Sequence, residues 1–171
     1  MFYYDIFSTP LGWFSLLLSK HGLRRSSLQP TRDKAIYRIG SEIHDASRSS
    51  SELRAIREVV LAFFNGTGSA LDQLPLDLSG TTSFSKDCLV ACSSIPVGQT
   101  RSYSWIAKEM GRPTAARAVG RVMATNRLPV VIPCHRVVSN SGRLHGYSGG
   151  LDLKHELLRL ETKLQSSGRC H

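Results

Sequence analysis

Cysteine is scarce in this sequence and never paired. The four cysteines, Cys88, Cys92, Cys134 and Cys170, form no C-x-x-C pair. Their spacing suggests no disulfide framework, which fits a reducing compartment. Cys88 and Cys92 would share a face if helical, but no paired histidines lie near them, so packing is the better reading than zinc. Long apolar runs are missing too, which excludes a membrane-spanning helix and a membrane partner. Leu16-Leu17-Leu18 follows an acidic, aromatic start without the basic stretch of a signal peptide. A soluble, cytoplasmic protein is expected. The third shortage is of carboxylates, for Glu109 is the only one between Gly98 and Gly150.

What fills that stretch instead is cations: Arg101, Lys108, Arg112, Arg117, Arg121, Arg127, Arg136 and Arg143. Over the whole chain 22 Lys+Arg stand against 13 Asp+Glu, a formal net charge of +9. That balance favours a polyanionic partner, although a basic surface alone is weak evidence for nucleic acid. A chain of 171 residues allows one compact domain or two small ones.

Residues 2–7 and 14–19 read as strands joined by a turn at Pro10-Leu11-Gly12, and Gly22 permits a second turn into residues 23–29. Residues 30–47 show no clear period and read as a variable connection with a short helix near 34–39. Ser49 and Glu52 form a capping box. Leu53, Ile56, Val60, Phe63 and Phe64 follow at helical spacing, and Asn65-Gly66 ends the helix. Leu74, Leu76 and Leu78 alternate in an extended tract. These residues make an N-terminal α/β domain over 1–78, an amphipathic helix on a small sheet, with no chemistry of its own.

From 79 to 171 a second, mostly helical domain is expected. Residues 83–94 carry Phe84, Cys88, Leu89 and Cys92 along one helical face, and Ile95-Pro96-Val97-Gly98 stops the helix. Residues 102–110 form a second helix capped by Ser102, with Trp105, Ile106 and Met110 inward. Gly111-Arg112-Pro113 turns the chain into a third helix, with Pro113 in its first turn and its end near Ala124. Two short helices around a glycine-containing turn are the helix-turn-helix pattern, which alone is only modestly specific. On the third helix Val119, Val122 and Met123 face inward. Arg117 and Arg121 share another face among Ala115, Ala116, Ala118 and Gly120, so the backbone can come close to DNA while Arg contacts phosphate or inserts. Gly146-Tyr147-Ser148-Gly149-Gly150 is a loop that could close over a flat ligand. Asp152 opens a last helix with Leu153, Leu157, Leu160 and Leu164 inward, and residues 165–171 read as a disordered tail.

The chemistry is expected at Ile132-Pro133-Cys134-His135-Arg136-Val137-Val138. With Leu128-Pro129-Val130-Val131 before it, this reads as an extended, mostly buried segment that presents Cys134 at a bend. A buried cysteine is usually a small hydrophobe. Here His135 and Arg136 lie beside it in an apolar run and must have partners, which points to a reactive thiol.

Taken together, this segment, Thr114-Ala115-Ala116-Arg117-Ala118-Val119-Gly120, Asn126, Ser102-Tyr103 and the Gly146–Gly150 loop resemble the O6-alkylguanine-DNA alkyltransferases. The resemblance is strong over residues 76–164 and loose before them. It implies an N-terminal ribonuclease H-like domain and a C-terminal helix-turn-helix domain. The implied activity is direct-reversal repair: irreversible, single-turnover transfer of an alkyl group from O6 of guanine, with O4 of thymine as a further substrate, to Cys134. The resemblance makes Cys134 the nucleophile, His135 the base acting through a bridging water, and Glu161 the group that orients it. On its own pattern Glu161 reads as a surface charge. Asn126 would hold the neighbouring backbone and Tyr103 would donate to the guanine ring. Met123 and Tyr147 would wall the pocket, with Ser148 near O6 and Gly149 beside it. The backbone of Cys134 and Val137 would read the exocyclic amine. Thr114, Ala116, Ala118 and Arg121 would lie against the minor groove, with Arg117 filling the gap left by the flipped nucleotide. The implied partner is double-stranded DNA containing O6-alkylguanine, met by a monomer without cofactor.

Two departures from the family stand out. Arg127 follows Asn126 where many relatives have proline, which should loosen that turn. Zinc-binding members use Cys and His ligands in the first domain, which here has no cysteine and only His21 and His44, so no metal is expected. Two other readings fit parts of the pattern: a Cys-His hydrolase, and a helix-turn-helix DNA- or lesion-binding module with an inert cysteine.

Overall fold

The computed structural model describes residues 1–48 and 51–168. By its internal contacts the chain divides into two units: Met1–Asp77 with Arg127–Val131, and Leu78–Asn126 with the described residues from Ile132 onward. A single cut at residue 78 leaves Arg127–Val131 with the second unit, whereas they pack with the first.

The first unit is built on the strands β1 (Phe2–Thr9), β2 (Gly12–Ser19) and β3 (Gly22–Gln29), an antiparallel meander. The central strand is buried from Phe14 through Leu18, because a helix covers each face. On one face, helix α1 (Arg32–Ile39) is capped by Thr31 and places Ala35 and Ile39 against Ile6 and Leu17. The buried Ser15 hydroxyl donates to the Ala35 carbonyl at 2.9 Å. On the other, helix α2 (Ser51–Phe64) brings Phe64 edge-on to Phe14, ring centroids 5.7 Å apart. The Ser49 end of the expected capping box lies outside the described residues, as does Cys170.

Residues 30–47 hold more structure than their sequence suggests. A 3-10 turn (Ser41–Asp45) leads into strand β4 (Ala46–Arg48), which pairs parallel with β1. The order β3-β2-β1-β4, with β4 alone parallel, is the ribonuclease H-like arrangement. Three residues cannot show an alternating pattern, so β4 left no signal. The outer edge of β3 is covered by chain from elsewhere in the unit. Leu23 donates to the Pro75 carbonyl and accepts from the Asp77 amide, at 2.8 and 2.7 Å. Ser26 donates its amide to Arg127 at 2.9 Å and its hydroxyl to the Pro129 carbonyl at 2.8 Å. The turn at Arg127 is therefore held from outside. Residues 128–131 do not run on as a strand: Val130 has φ +75°, a value rare for a β-branched residue.

The second unit carries helices α3 (Ser83–Ser93), α4 (Tyr103–Glu109) and α5 (Ala116–Ala124). Thr82 caps α3 and Ser102 caps α4. Helices α4 and α5 are the helix-turn-helix pair. Pro113 is not in the first turn of α5, which begins three residues later at Ala116; residues 113–114 complete the turn. Cys88, Leu89, Cys92, Ile106, Ala107, Val119 and Met123 form the interior of these helices. A two-residue parallel pair, β5 (Arg101–Ser102) with β6 (Val137–Val138), ties the start of α4 to the reactive segment. Helix α6 (Leu151–Ser167) closes the unit. It starts one residue before Asp152 and continues through residues 165–167, where a disordered tail is expected. Gln165 anchors that end by donating to the Val97 carbonyl at 2.8 Å.

Candidate active site

Residues 131–138 are buried without a break. Cys134, His135 and Arg136 form one 3-10 turn, which turns successive side chains in different directions and so serves three neighbours. Cys134 is 7% exposed. Asn126, two residues past α5, donates from Nδ2 to the Ile132 carbonyl at 3.1 Å and to Cys134 Sγ at 3.2 Å. One amide thus fixes both the backbone before the cysteine and the sulfur itself. Burial pushes the Cys134 thiol above its ordinary pKa, while the Asn126 hydrogen bond and the charge of Lys154 work in the opposite direction. The resting group is a thiol, and its reaction as a nucleophile needs a base.

His135 is fully buried, and its Nε2 lies 2.7 Å from Glu161 Oε1. Glu161, also fully buried on α6, accepts from Arg136 Nε at 3.0 Å and Nη2 at 2.8 Å, and from the Gly98 amide at 3.0 Å. Arg136 Nη1 donates to the Ile95 carbonyl at 2.5 Å. Burial alone would raise the Glu161 pKa. The hydrogen bonds and charges of His135 and Arg136 more than reverse that and hold it at about 2. The His135 pKa is lowered as well, because burial outweighs the opposing hydrogen bond and charge of Glu161. At neutral pH the pair is therefore carboxylate and neutral imidazole. A carboxylate can only accept, so Nε2 carries the proton and Nδ1 has the free lone pair. Nδ1 is buried with no hydrogen-bond partner among the described residues, as a base awaiting a proton would be.

These shifts carry a sign for stability. A folded-state pKa of about 2 for Glu161 against an ordinary 4.5 means that its stabilisation is complete above pH 4.5 and is lost as pH falls toward 2. Acid titration followed by circular dichroism should show that loss in wild type, and a shallower slope in this window for Glu161→Gln.

The site holds a further buried cation that the sequence reading does not identify. Lys154, 1% exposed on α6, donates from Nζ to the carbonyls of Val137 at 2.7 Å and His145 at 2.9 Å. Burial lowers its pKa, and the nearby Cys134 and Cys92 act to raise it. It falls on the leucine-rich side of α6, where a lone lysine gives no periodic signal. Gly98 is equally hidden, as part of a turn whose sequence reads only as a helix stop.

The other expected residues take these places. Tyr103 begins α4, half-buried, and Gly120 of α5 packs over its ring. Burial raises its phenol pKa, aided by Cys134 and Cys92, so it remains a donor. Met123 and Val137 are buried. Tyr147 meets the His135 ring edge-on at 6.5 Å, with its hydroxyl buried and unpartnered among the described residues. Ser148 is exposed, and Gly149 sits where a Cβ would collide with Leu153. Arg117, Arg121 and Thr114 are exposed, with Ala116 and Ala118 half-buried beside them. Hydrogen bonds join Asn126 to Cys134 and His135 to Glu161, two pairs brought together by the adjacency of Cys134 and His135 in one turn. Thr114, Ala116, Arg117, Ala118 and Arg121 lie along α5 and the turn before it, with Arg121 in its last turn.

The chain is similar to known proteins in both sequence and fold. The profile described as "6-O-methylguanine DNA methyltransferase, DNA binding domain" matches residues 83–163. A methylated-DNA–protein-cysteine methyltransferase of Methanosarcina acetivorans is 36% identical over 160 residues, 93% of this chain and 97% of that protein. One from Mycolicibacterium paratuberculosis is 47% identical over 102 residues, 60% of this chain and 61% of its own. Among solved structures, the Mycobacterium tuberculosis O6-methylguanine methyltransferase superposes with a TM-score of 0.80 at 32% identity, covering 95% of this chain and 93% of that one. The Mycobacterium tuberculosis protein in complex with DNA gives 0.79 at 33%, covering 95% and 94%.

Proposed function

Because this chain belongs to the methylated-DNA–protein-cysteine methyltransferases, we propose that Cys134 is the atom of this protein that takes the alkyl group from O6 of guanine in duplex DNA. The activity is direct reversal by a protein that reacts once. The observation that carries the assignment to Cys134 is the buried chain from Glu161 through His135, with its free Nδ1, to the turn holding the Asn126-bonded thiol.

His135 Nδ1 draws the thiol proton through a bridging water. The sulfur attacks the alkyl carbon in line with the C–O6 bond; the S–C bond forms as that bond breaks, and guanine leaves with the electron pair. Tyr103, kept protonated, donates to the ring as charge builds there, an interaction stronger in the transition state than in the ground state. The departing base takes up one proton and is restored as guanine. A thioether is a poor leaving group, so nothing regenerates the thiol. Met123 and Tyr147 wall the base, Ser148 and Gly149 line its O6 side, and the carbonyls of Cys134 and Val137 face its exocyclic amine. Val137 O already accepts from Lys154 and Cys134 O from the Val137 amide, but each carbonyl keeps a second lone pair.

The alkylated oxygen lies within a stacked duplex, so the nucleotide must rotate out at a cost of roughly a few kcal/mol. Helix α5 supports this role with exposed Arg117 and Arg121 above small residues. In this reading the helix enters the minor groove and Arg117 occupies the gap, while the protein acts as a monomer. Arg117→Ala should then slow transfer from duplex about tenfold or more and leave reaction with free O6-benzylguanine nearly unchanged. Single-turnover assays on the two substrates make the comparison, and equal slowing would remove base extrusion from Arg117.

A further inference from the structure

The turn over Pro96–Gln99 deserves a role in the reaction rather than only at the end of α3. Gln99 donates its amide to the Pro96 carbonyl at 3.1 Å, and Gly98, the third residue of that turn, has φ +75°. A positive φ there defines a type II turn and requires glycine or asparagine. Types I and II differ by a flip of their central peptide, here the one between Val97 and Gly98. Helix α6 holds both ends of that same peptide. Its N–H donates to Glu161 Oε2 at 3.0 Å, and its carbonyl accepts from Gln165 Nε2 at 2.8 Å, one helical turn along. The Gln165 side chain lies so close over Gly98 that a Cβ would overlap its Cγ and Cδ.

We infer that Gln165 is a positioning residue for the transfer, locking the Val97–Gly98 peptide with its N–H toward the carboxylate that orients His135. Without that lock the peptide can flip and turn its carbonyl toward the Glu161 carboxylate, placing acceptor against acceptor. The carboxylate would then shift away and carry His135 Nε2 with it. With the lock, Gln165, the peptide and Glu161 form one polarised hydrogen-bond chain. This rests on His135 and Glu161 serving Cys134 as proposed above.

The test uses Gln165→Glu, which keeps size but offers an acceptor to the carbonyl, and Gln165→Lys, which restores a donor. Protein labelled with 15N-glycine reports the Gly98 amide by NMR, assigned by its loss in Gly98→Ala. Gln165→Glu should move that resonance upfield and slow alkyl transfer about tenfold, a fraction of what a general base contributes; Gln165→Lys should restore both. An unmoved Gly98 amide in Gln165→Glu, or a Gln165→Lys protein as slow as Gln165→Glu, would overturn the inference. If wild type took no alkyl group at all, the transferase reading would fail, while the Gly98 resonance would still decide whether Gln165 sets this peptide.

Discussion

Cys134→Ala should bind duplex DNA carrying O6-methylguanine with wild-type affinity and repair none of it. The side chain contributes one sulfur that is 7% exposed, and the expected DNA contacts come from α5 and the turn before it. Removing the sulfur leaves the Asn126 amide its bond to the Ile132 carbonyl, so the loop keeps its closure. Nothing then remains to form the S–C bond. Cys88 and Cys92 cannot stand in, since both are fully buried and burial raises the pKa of both thiols, Cys88 to about 11. Gel-shift titration and a methyl-transfer assay on one preparation separate the two properties. Residual transfer would mean another acceptor, and lost binding would mean a structural role for the sulfur.

Glu161→Gln should cost both stability and rate, each heavily. Arg136 is 6% exposed and its charge is met by this carboxylate. A neutral amide leaves that guanidinium buried and uncompensated, a loss of about 3–5 kcal/mol. The amide can also donate to His135 Nε2, which would force the proton onto Nδ1 and remove the lone pair that acts as base. Swapping carboxylate for amide behind a catalytic histidine lowers rates by about 10,000-fold in serine proteases, and at least about 100-fold is expected here. Urea unfolding and single-turnover transfer, the latter below the melting transition, measure the two effects. Transfer at the wild-type rate in the folded variant would show that Glu161 acts on Arg136 alone.

Part of this was legible in the sequence. The three strands of the meander, α2 and the helix-turn-helix all follow from apolar runs, apolar period and turn residues, the helices burying one face and β2 both. Strand β4 and the β5–β6 pair could not be read, since two or three residues carry no period. Val130 and Pro113 show the opposite failure: local propensity suggested an extended run and a helix start, and tertiary hydrogen bonding and the turn geometry decided otherwise. At the site, an adjacent Cys, His and Arg in an apolar run announced buried partners without naming them. Glu161 is identified only through family resemblance, for a single glutamate beside the apolar side of an amphipathic helix has no distinguishing pattern. Lys154, Gly98 and Gln165 were invisible because their importance lies in what they touch: two carbonyls, one carboxylate and one peptide plane.

The most direct measurement is the mass of the peptide containing Cys134 after folded, reduced protein is mixed with duplex containing O6-methylguanine. One methyl group in place of the thiol hydrogen, rising with added DNA to one per protein and no further, is the predicted result. An unchanged Cys134 peptide with the lesion intact, or a methyl group found on a different residue, would contradict it.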